Sequence, residues 1–216
     1  MLLIFDCDGV LVDSEPLACQ VDADVLTALG LPYTADDIAR QFVGKSIRDM
    51  IARIEADHGR RLPGDFAEQI NRALFARFET DLRPIAGVRE AILSLPYRRC
   101  VASSSVPERI ALSLRVTGLA DVFDDIFSAT QVARGKPAPD LFLFAADRMG
   151  AKPEECLVVE DSPAGVQAAV SAGMRVIGFT GGGHCGPQHG ETLRQAGAPV
   201  MISRMADLPE AVRTLI

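Results

Sequence analysis

Two carboxylates one residue apart, Asp6 and Asp8, stand at the end of the apolar run Leu2-Leu3-Ile4-Phe5, where a buried strand must give way to a turn. If both project from the carboxyl edge of a sheet, one can serve as nucleophile or metal ligand and the other, reaching past it, as acid and base. Gly9 lets the backbone turn there, although a solvated turn capped by Asp residues accounts equally well for an isolated Asp-x-Asp. A calcium loop is excluded, because Val10 and Leu11 stand where that motif needs an acidic or amide ligand and then Gly. A second acidic pair, Glu160-Asp161, ends the apolar run Leu157-Val158-Val159. Strand C-terminal ends share one edge in a parallel sheet, so Asp6, Asp8, Glu160 and Asp161 converge there. Their mutual repulsion calls for a hard cation among them, Mg2+ being the natural choice. Taken alone, Glu160-Asp161 also reads as the N-cap of a helix starting near Pro163.

A third strand end, Cys100-Val101-Ala102, runs into Ser103-Ser104-Ser105 before a helix near Pro107. Hydroxyls and free N–H groups at a helix N-terminus make a phosphate cradle, and a Ser run is equally an ordinary cap. The fourth piece is Lys136, held in Gly135-Lys136-Pro137-Ala138-Pro139. Stiffly presented, its ammonium offsets both a nucleophile's charge and a phosphate's, whereas by itself it is a solvated surface lysine.

These residues need a scaffold. Short apolar runs bounded by turn residues recur at Leu2 to Phe5, Arg99 to Ala102, Asp125 to Phe127, Leu157 to Val159, Val176 to Phe179 and Val200 to Ile202; they predict strands buried on both faces. Helical patterns alternate with them at Pro107 to Val116, Ala138 to Met149, Pro163 to Ala172 and Glu191 to Ala196, with Gly118, Gly150, Gly173 and Gly197 as C-terminal stops. The expected fold is α/β, a doubly wound parallel sheet with helices on both faces. Residues 14–83 carry helix periodicity four times, at about 15–30, 35–42, 46–59 and 65–82, and no convincing strand. So long a helical stretch is too much for a crossover, and predicts a helical cap domain inserted into a core of residues 1–13 and 84–216, gating substrate.

In this order and spacing the four pieces resemble the haloacid dehalogenase superfamily, in the phosphatase and phosphomutase branch with a helical cap after the first strand. The motifs are DxDGVLVDSE at 6–15, Ser103, Lys136 in GKPxPD, EDSPAG at 160–165 and AG at 172–173. The resemblance implies Asp6 as the nucleophile forming an aspartyl-phosphate, and Asp8 as acid to the leaving oxygen and then base to water. It implies Ser103 and Lys136 gripping the phosphoryl group, with Ser104 beside them contacting substrate. It further implies Mg2+ bound by Asp6, the Asp8 main-chain carbonyl and Asp161, assisted by Glu160. Related sugar phosphomutases carry a His where this chain has Ala18, and basic residues on both sides of a cap glycine where Gly44 is followed only by Lys45. Hydrolysis is therefore the expected reaction and a β-phosphoglucomutase-like reaction the alternative. Lys45 is the candidate reader of the substrate's distal end, or else a cap of the helix from Ser46. The run FSxxxVxxxKPxPDLF is similar to that of sugar-phosphate phosphatases, a 6-phosphogluconate phosphatase among them, which points to a sugar or sugar-acid phosphate.

Composition narrows the partners. With 48% hydrophobic and 24% charged residues the chain can bury a sizeable core, and a net charge of −7 argues against nucleic acid or an anionic membrane as partner. The start is too short for a signal sequence and no long apolar run occurs, so a cytoplasmic protein is expected. Five cysteines without a CxxC pair predict reduced, mostly buried thiols. Gly181, Gly183 and Gly186 spell a Gly-x-Gly-x-x-Gly, but Pro187 delays the helix and too little chain follows for a dinucleotide fold. His184, Cys185 and His189 in that loop are metal-ligand types lacking an evident fourth member, and a flexible core loop is expected. His58, beside Gly59 at a helix end, suits the helix dipole.

Overall fold

The structure, a computed structural model, describes residues 1–42 and 47–216. Six parallel strands form one sheet in the order β3-β2-β1-β4-β5-β6. They are β1 (Leu2–Phe5), β2 (Arg98–Ser103), β3 (Asp125–Ser128), β4 (Cys156–Glu160), β5 (Arg175–Phe179) and β6 (Val200–Ile202). β1 lies at the centre, with Phe5 level with Val101 of β2 and Val159 of β4. The chain order reverses on either side of β1, which opens a crevice at the strand ends.

The helices are α1 (Glu15–Ala28), α2 (Ala35–Phe42), α3 (Ile47–His58), α4 (Phe66–Asp81), α5 (Val88–Leu93), α6 (Pro107–Val116), α7 (Asp140–Arg148), α8 (Pro163–Ser171), α9 (His189–Ala196) and α10 (Leu208–Leu215). α5 and α10 have no counterpart among the expected helices. α5, at six residues, is too short for periodicity to separate it from loop.

The chain divides into two compact units, one of Met1–Asp13 with Arg83–Ile216 and one of Ser14–Leu82. In the first, α7 buries Leu141, Phe142, Ala145 and Ala146, and α8 buries Val166, Ala168 and Ala169. They share one core with Leu2, Ile4, Cys100, Ala102 and Val158 of the sheet. Each large side chain fully buried there contributes ~1.5–3 kcal/mol, which fixes where the strand ends fall. The second unit packs α1 to α4 around Leu26, Ile38, Phe42, Ile54, Phe66 and Ile70. The first unit also closes the gap from which the second departs. Asp13 donates its N–H to the Arg83 carbonyl at 3.0 Å, Ile85 donates to the Leu11 carbonyl at 2.9 Å, and Val12 bridges Pro84 antiparallel.

All five cysteines are free, with Cys7, Cys19, Cys100 and Cys156 buried and Cys185 half-buried. Burial pushes the Cys19 and Cys156 thiols up to about 11 and Cys7 and Cys100 well above their usual range, so none of these four is a ready nucleophile. Among the described residues no helix is long and apolar enough to cross a membrane.

Candidate active site

Asp6 is the first residue past β1 and continues its line, donating its N–H to the Val159 carbonyl at 3.0 Å. Lys136, on the loop before α7, reaches it from the side. The Lys136 ammonium donates to Asp6 Oδ1 at 2.9 Å, to Glu160 Oε1 at 2.6 Å and to the Ala102 carbonyl at 3.1 Å, 5.0 Å from the centre of the Phe142 ring. One cation thus ties the ends of β1, β2 and β4 together. Burial alone would strip its proton, yet Asp6 and Glu160 outweigh that and hold the lysine above its ordinary range.

Glu160, the last residue of β4, is fully buried. Its Oε2 accepts from the N–H of Ser162 at 2.7 Å and from the Ser162 hydroxyl at 2.9 Å, while that hydroxyl caps α8 by accepting from the Gly165 N–H at 3.0 Å. The capping role foreseen for the acidic pair belongs to Ser162, and Glu160 is turned towards Lys136. Gly165 is required by contact, since a Cβ there would stand 1.7 Å from Glu160 Oε1.

Asp6, Glu160 and Asp161 bring one carboxylate oxygen each within 4.8 Å of the others, all buried. Burial pushes the Asp6 carboxyl well above the usual carboxylate range; Lys136 opposes this, and Glu160, Asp161 and Asp8 add to it. Two of these buried carboxylates share the Lys136 ammonium and the third, Asp161, faces His184, a donor set that fits a hard divalent cation. Gly9 keeps space beside Asp161. At φ +76° it makes a turn that L side chains rarely adopt, and a Cβ there would lie 1.8 Å from Asp161 Oδ2.

The Asp8 carboxylate does not join this cluster. Its Oδ2 accepts from the Ser105 hydroxyl at 2.7 Å and its Oδ1 from Arg109 at 3.0 Å. The expected convergence of four carboxylates is therefore one of three, because two donors beyond β2 draw Asp8 aside. Ser103 ends β2, buried, and its hydroxyl oxygen accepts the Ser105 N–H at 3.1 Å, which leaves its own hydrogen to donate. Ser104 is exposed. Lys45 lies outside the described residues.

Sequence reasoning gave Ser105, Arg109 and Ser162 no role of their own and weighed His184 only as a metal-ligand type within its loop. Arg109 did leave a signal, since it stands in the first turn of α6, where the helix dipole disfavours a cation and only a specific anion justifies one. His184 sits 3.2 Å from Asp161 Oδ2; burial would lower it, but hydrogen bonds to Asp161 and Cys185 raise it to about 10. The loop expected to be flexible is tied down by the Gly183 N–H on Asp13 Oδ1 at 2.8 Å and the Cys185 N–H on the Gly182 carbonyl at 3.0 Å.

Comparison with known proteins agrees with this geometry. The profile of the haloacid dehalogenase-like hydrolases matches residues 1–173. A 6-phosphogluconate phosphatase of Escherichia coli is 31% identical over 187 residues, covering 86% of this chain and 85% of that one. A phosphorylated carbohydrates phosphatase of Thermotoga maritima is 34% identical over 205 residues, 93% of each chain. A conserved haloacid dehalogenase-like protein of unknown function from Agrobacterium tumefaciens superposes with a TM-score of 0.90 at 40% identity, covering 99% of this chain and 98% of that one.

Proposed function

We propose that this chain, which belongs to the haloacid dehalogenase-like hydrolase family and is a phosphoric monoester hydrolase, acts on a small sugar or sugar-acid phosphate through an aspartyl-phosphate on Asp6. The observation that carries the reading is the Lys136 ammonium bonded at once to Asp6 and Glu160 at the ends of β1 and β4. Phosphoryl transfer asks for positioning and charge neutralisation more than for covalent ingenuity, so a carboxylate can attack phosphorus where cations screen the two anions.

In this reading Asp6 attacks phosphorus and the ester oxygen departs, taking a proton from Asp8. Asp8 then removes a proton from water, which attacks the aspartyl-phosphate and releases inorganic phosphate. Lys136 holds Asp6 in place and balances charge, and the Ser103 hydroxyl donates to a phosphoryl oxygen. Ser105 and Arg109 hold the Asp8 side chain in one orientation for both proton transfers. Ser104, exposed at the same strand end, is the adjoining substrate contact. Phosphatases of the family generally use a divalent metal; here we assign Mg2+, held by Asp6, Asp161 and the Asp8 main-chain carbonyl with Glu160 assisting, and it would supply Lewis-acid screening of the phosphoryl oxygens. Relatives named as phosphatases, together with Ala18 in this chain where related mutases carry a histidine, make the phosphomutase reading the less supported one.

The test is phosphate release from a panel of sugar and sugar-acid phosphates with Mg2+ and no bisphosphate activator. Release by the wild type and none by Asp6→Asn supports the assignment. Asp6→Asn within tenfold of wild type removes Asp6 as nucleophile, and no release from any substrate overturns the reading.

A further inference from the structure

The loop after β5 gathers three metal-ligand types that phosphate hydrolysis does not use. His184, Cys185 and His189 bring one nitrogen or sulfur atom each within 4.8 Å of one another. The Cys185 sulfur lies 3.5 Å from Nε2 and 4.0 Å from Nδ1 of His184, and the two imidazoles meet edge to face with centroids 5.4 Å apart. Zinc bonds of about 2.0 Å to nitrogen and about 2.3 Å to sulfur place tetrahedral donors roughly 3.5 Å apart, close to the spacing seen here. The turn is held in shape by the Cys185 N–H on the Gly182 carbonyl and the His189 N–H on the Gly186 carbonyl, both at 3.0 Å.

A second observation shows what holds the two rings. His189 Nε2 lies 2.6 Å from the Asp161 main-chain oxygen, which can only accept, so that nitrogen carries hydrogen. His184 Nε2 lies 3.2 Å from Asp161 Oδ2. Both rings are thereby anchored on Asp161, the arrangement by which carboxylates and carbonyls orient metal-binding histidines, and His189 keeps Nδ1 for a ligand. A side chain at position 182 would put its Cβ 2.9 Å from both Cε1 and Nδ1 of His184, so glycine there lets the ring lie where it does.

We infer that a ring nitrogen of His184, the Cys185 thiolate and His189 Nδ1 form a binding site for a soft divalent transition ion of the zinc class, with water in the fourth position. The thiol proton and the proton on the ligating His184 nitrogen go to solvent on binding. The site stands apart from the carboxylate cluster in ligand chemistry, and the inference does not depend on the phosphatase reading. A bound ion fixes the two rings that grip Asp161.

Cobalt spectroscopy tests it. Co2+ titrated into the whole protein, with Mg2+ in excess to occupy carboxylate sites, should bind one ion per chain with a thiolate-to-cobalt charge-transfer band and the strong visible bands of a tetrahedral ion, both erased by Zn2+. Cys185→Ser should abolish the charge-transfer band, and His189→Gln should weaken affinity by roughly tenfold or more, each with an unchanged thermal transition in the absence of transition metal. A band that survives Cys185→Ser would come from another thiol and overturn the site. So would the weak visible absorption of an octahedral, oxygen-bound ion alone, or no binding.

Discussion

Arg109 and Asp8, 101 positions apart in sequence, form a 3.0 Å ion pair with both side chains largely shielded from solvent. With the Ser105 hydroxyl on the other oxygen, this clamps the group proposed as acid and base from the side of α6. Arg109→Gln should lower kcat for an alkyl phosphate by roughly tenfold, about 1.4 kcal/mol. Formation of phospho-enzyme from p-nitrophenyl phosphate, whose leaving group needs no proton, should fall far less. Rapid-quench measurement of both steps decides; equal losses would show that Arg109 acts on phosphate binding or folding.

Removing the Lys136 ammonium leaves Asp6 and Glu160 facing each other in a buried setting. Breaking one member out of such a group typically costs 3 kcal/mol or more, so Lys136→Met should lower Tm by roughly 6 °C or more in calorimetry. An unchanged Tm would mean that the lysine contributes charge for chemistry and nothing to the fold.

Contact alone forbids a side chain at position 165. Gly165→Ala pushes its methyl into Glu160, which must turn away from Lys136, and kcat/KM for any phosphate ester should fall by at least tenfold. Gly64→Ala, where nothing lies within 4 Å of the added carbon, should leave kcat/KM unchanged. Similar activity in the two variants would show that Glu160 relocates without consequence.

Chelation should abolish turnover, and Mg2+ should restore it, since Asp6, Glu160 and Asp161 together carry more negative charge than Lys136 offsets. Asp161→Ala should raise the Mg2+ concentration needed for half-maximal activity by tenfold or more, read from activity against Mg2+. Full activity after exhaustive chelation would return Asp161 to a structural role.

One acid-sensitive contact lies on the surface. Asp121 accepts two 2.7 Å bonds from Arg89, which hold its carboxyl at about 2, below the ordinary 3.8. A lowered folded-state value adds stability above pH 3.8 that is lost as pH falls towards 2. The Tm difference between wild type and Asp121→Asn should therefore shrink across that window. A difference independent of pH would mean that the contact is worth no more ionised than neutral.

The parallel sheet and its polar edge were legible because Leu2 to Phe5 and Leu157 to Val159 are apolar runs that stop abruptly at acids, and Asp6, Glu160 and Lys136 come together where those stops imply. What stayed hidden was direction. Asp8 and Glu160 look alike in sequence, each a carboxylate at a strand end, but Ser105 and Arg109 pull one aside while Ser162 and Lys136 hold the other in. Those partners arrive from loops and helix starts whose side-chain aim no periodicity encodes. The His184 to His189 loop was misjudged for a related reason, since the atoms that restrain it, Asp13 Oδ1 and the Asp161 carbonyl, are remote in the chain.

The hydrogen bond from Asp13 to Arg83, with its neighbour from Ile85 to Leu11, makes the junction of segment 14–82 a socket. The two crossing points are zipped together by the sheet-bearing unit itself, so the length of what is plugged in adds little to the entropy of closing the chain, about 0.6 kcal/mol for each doubling. Recombination could exchange that segment for a longer or shorter one, or for a bare turn, and the strand ends bearing Asp6 and Glu160 and the loop bearing Lys136 would stay in place. A protein built on such a socket diversifies by transplant, with its chemistry inherited intact.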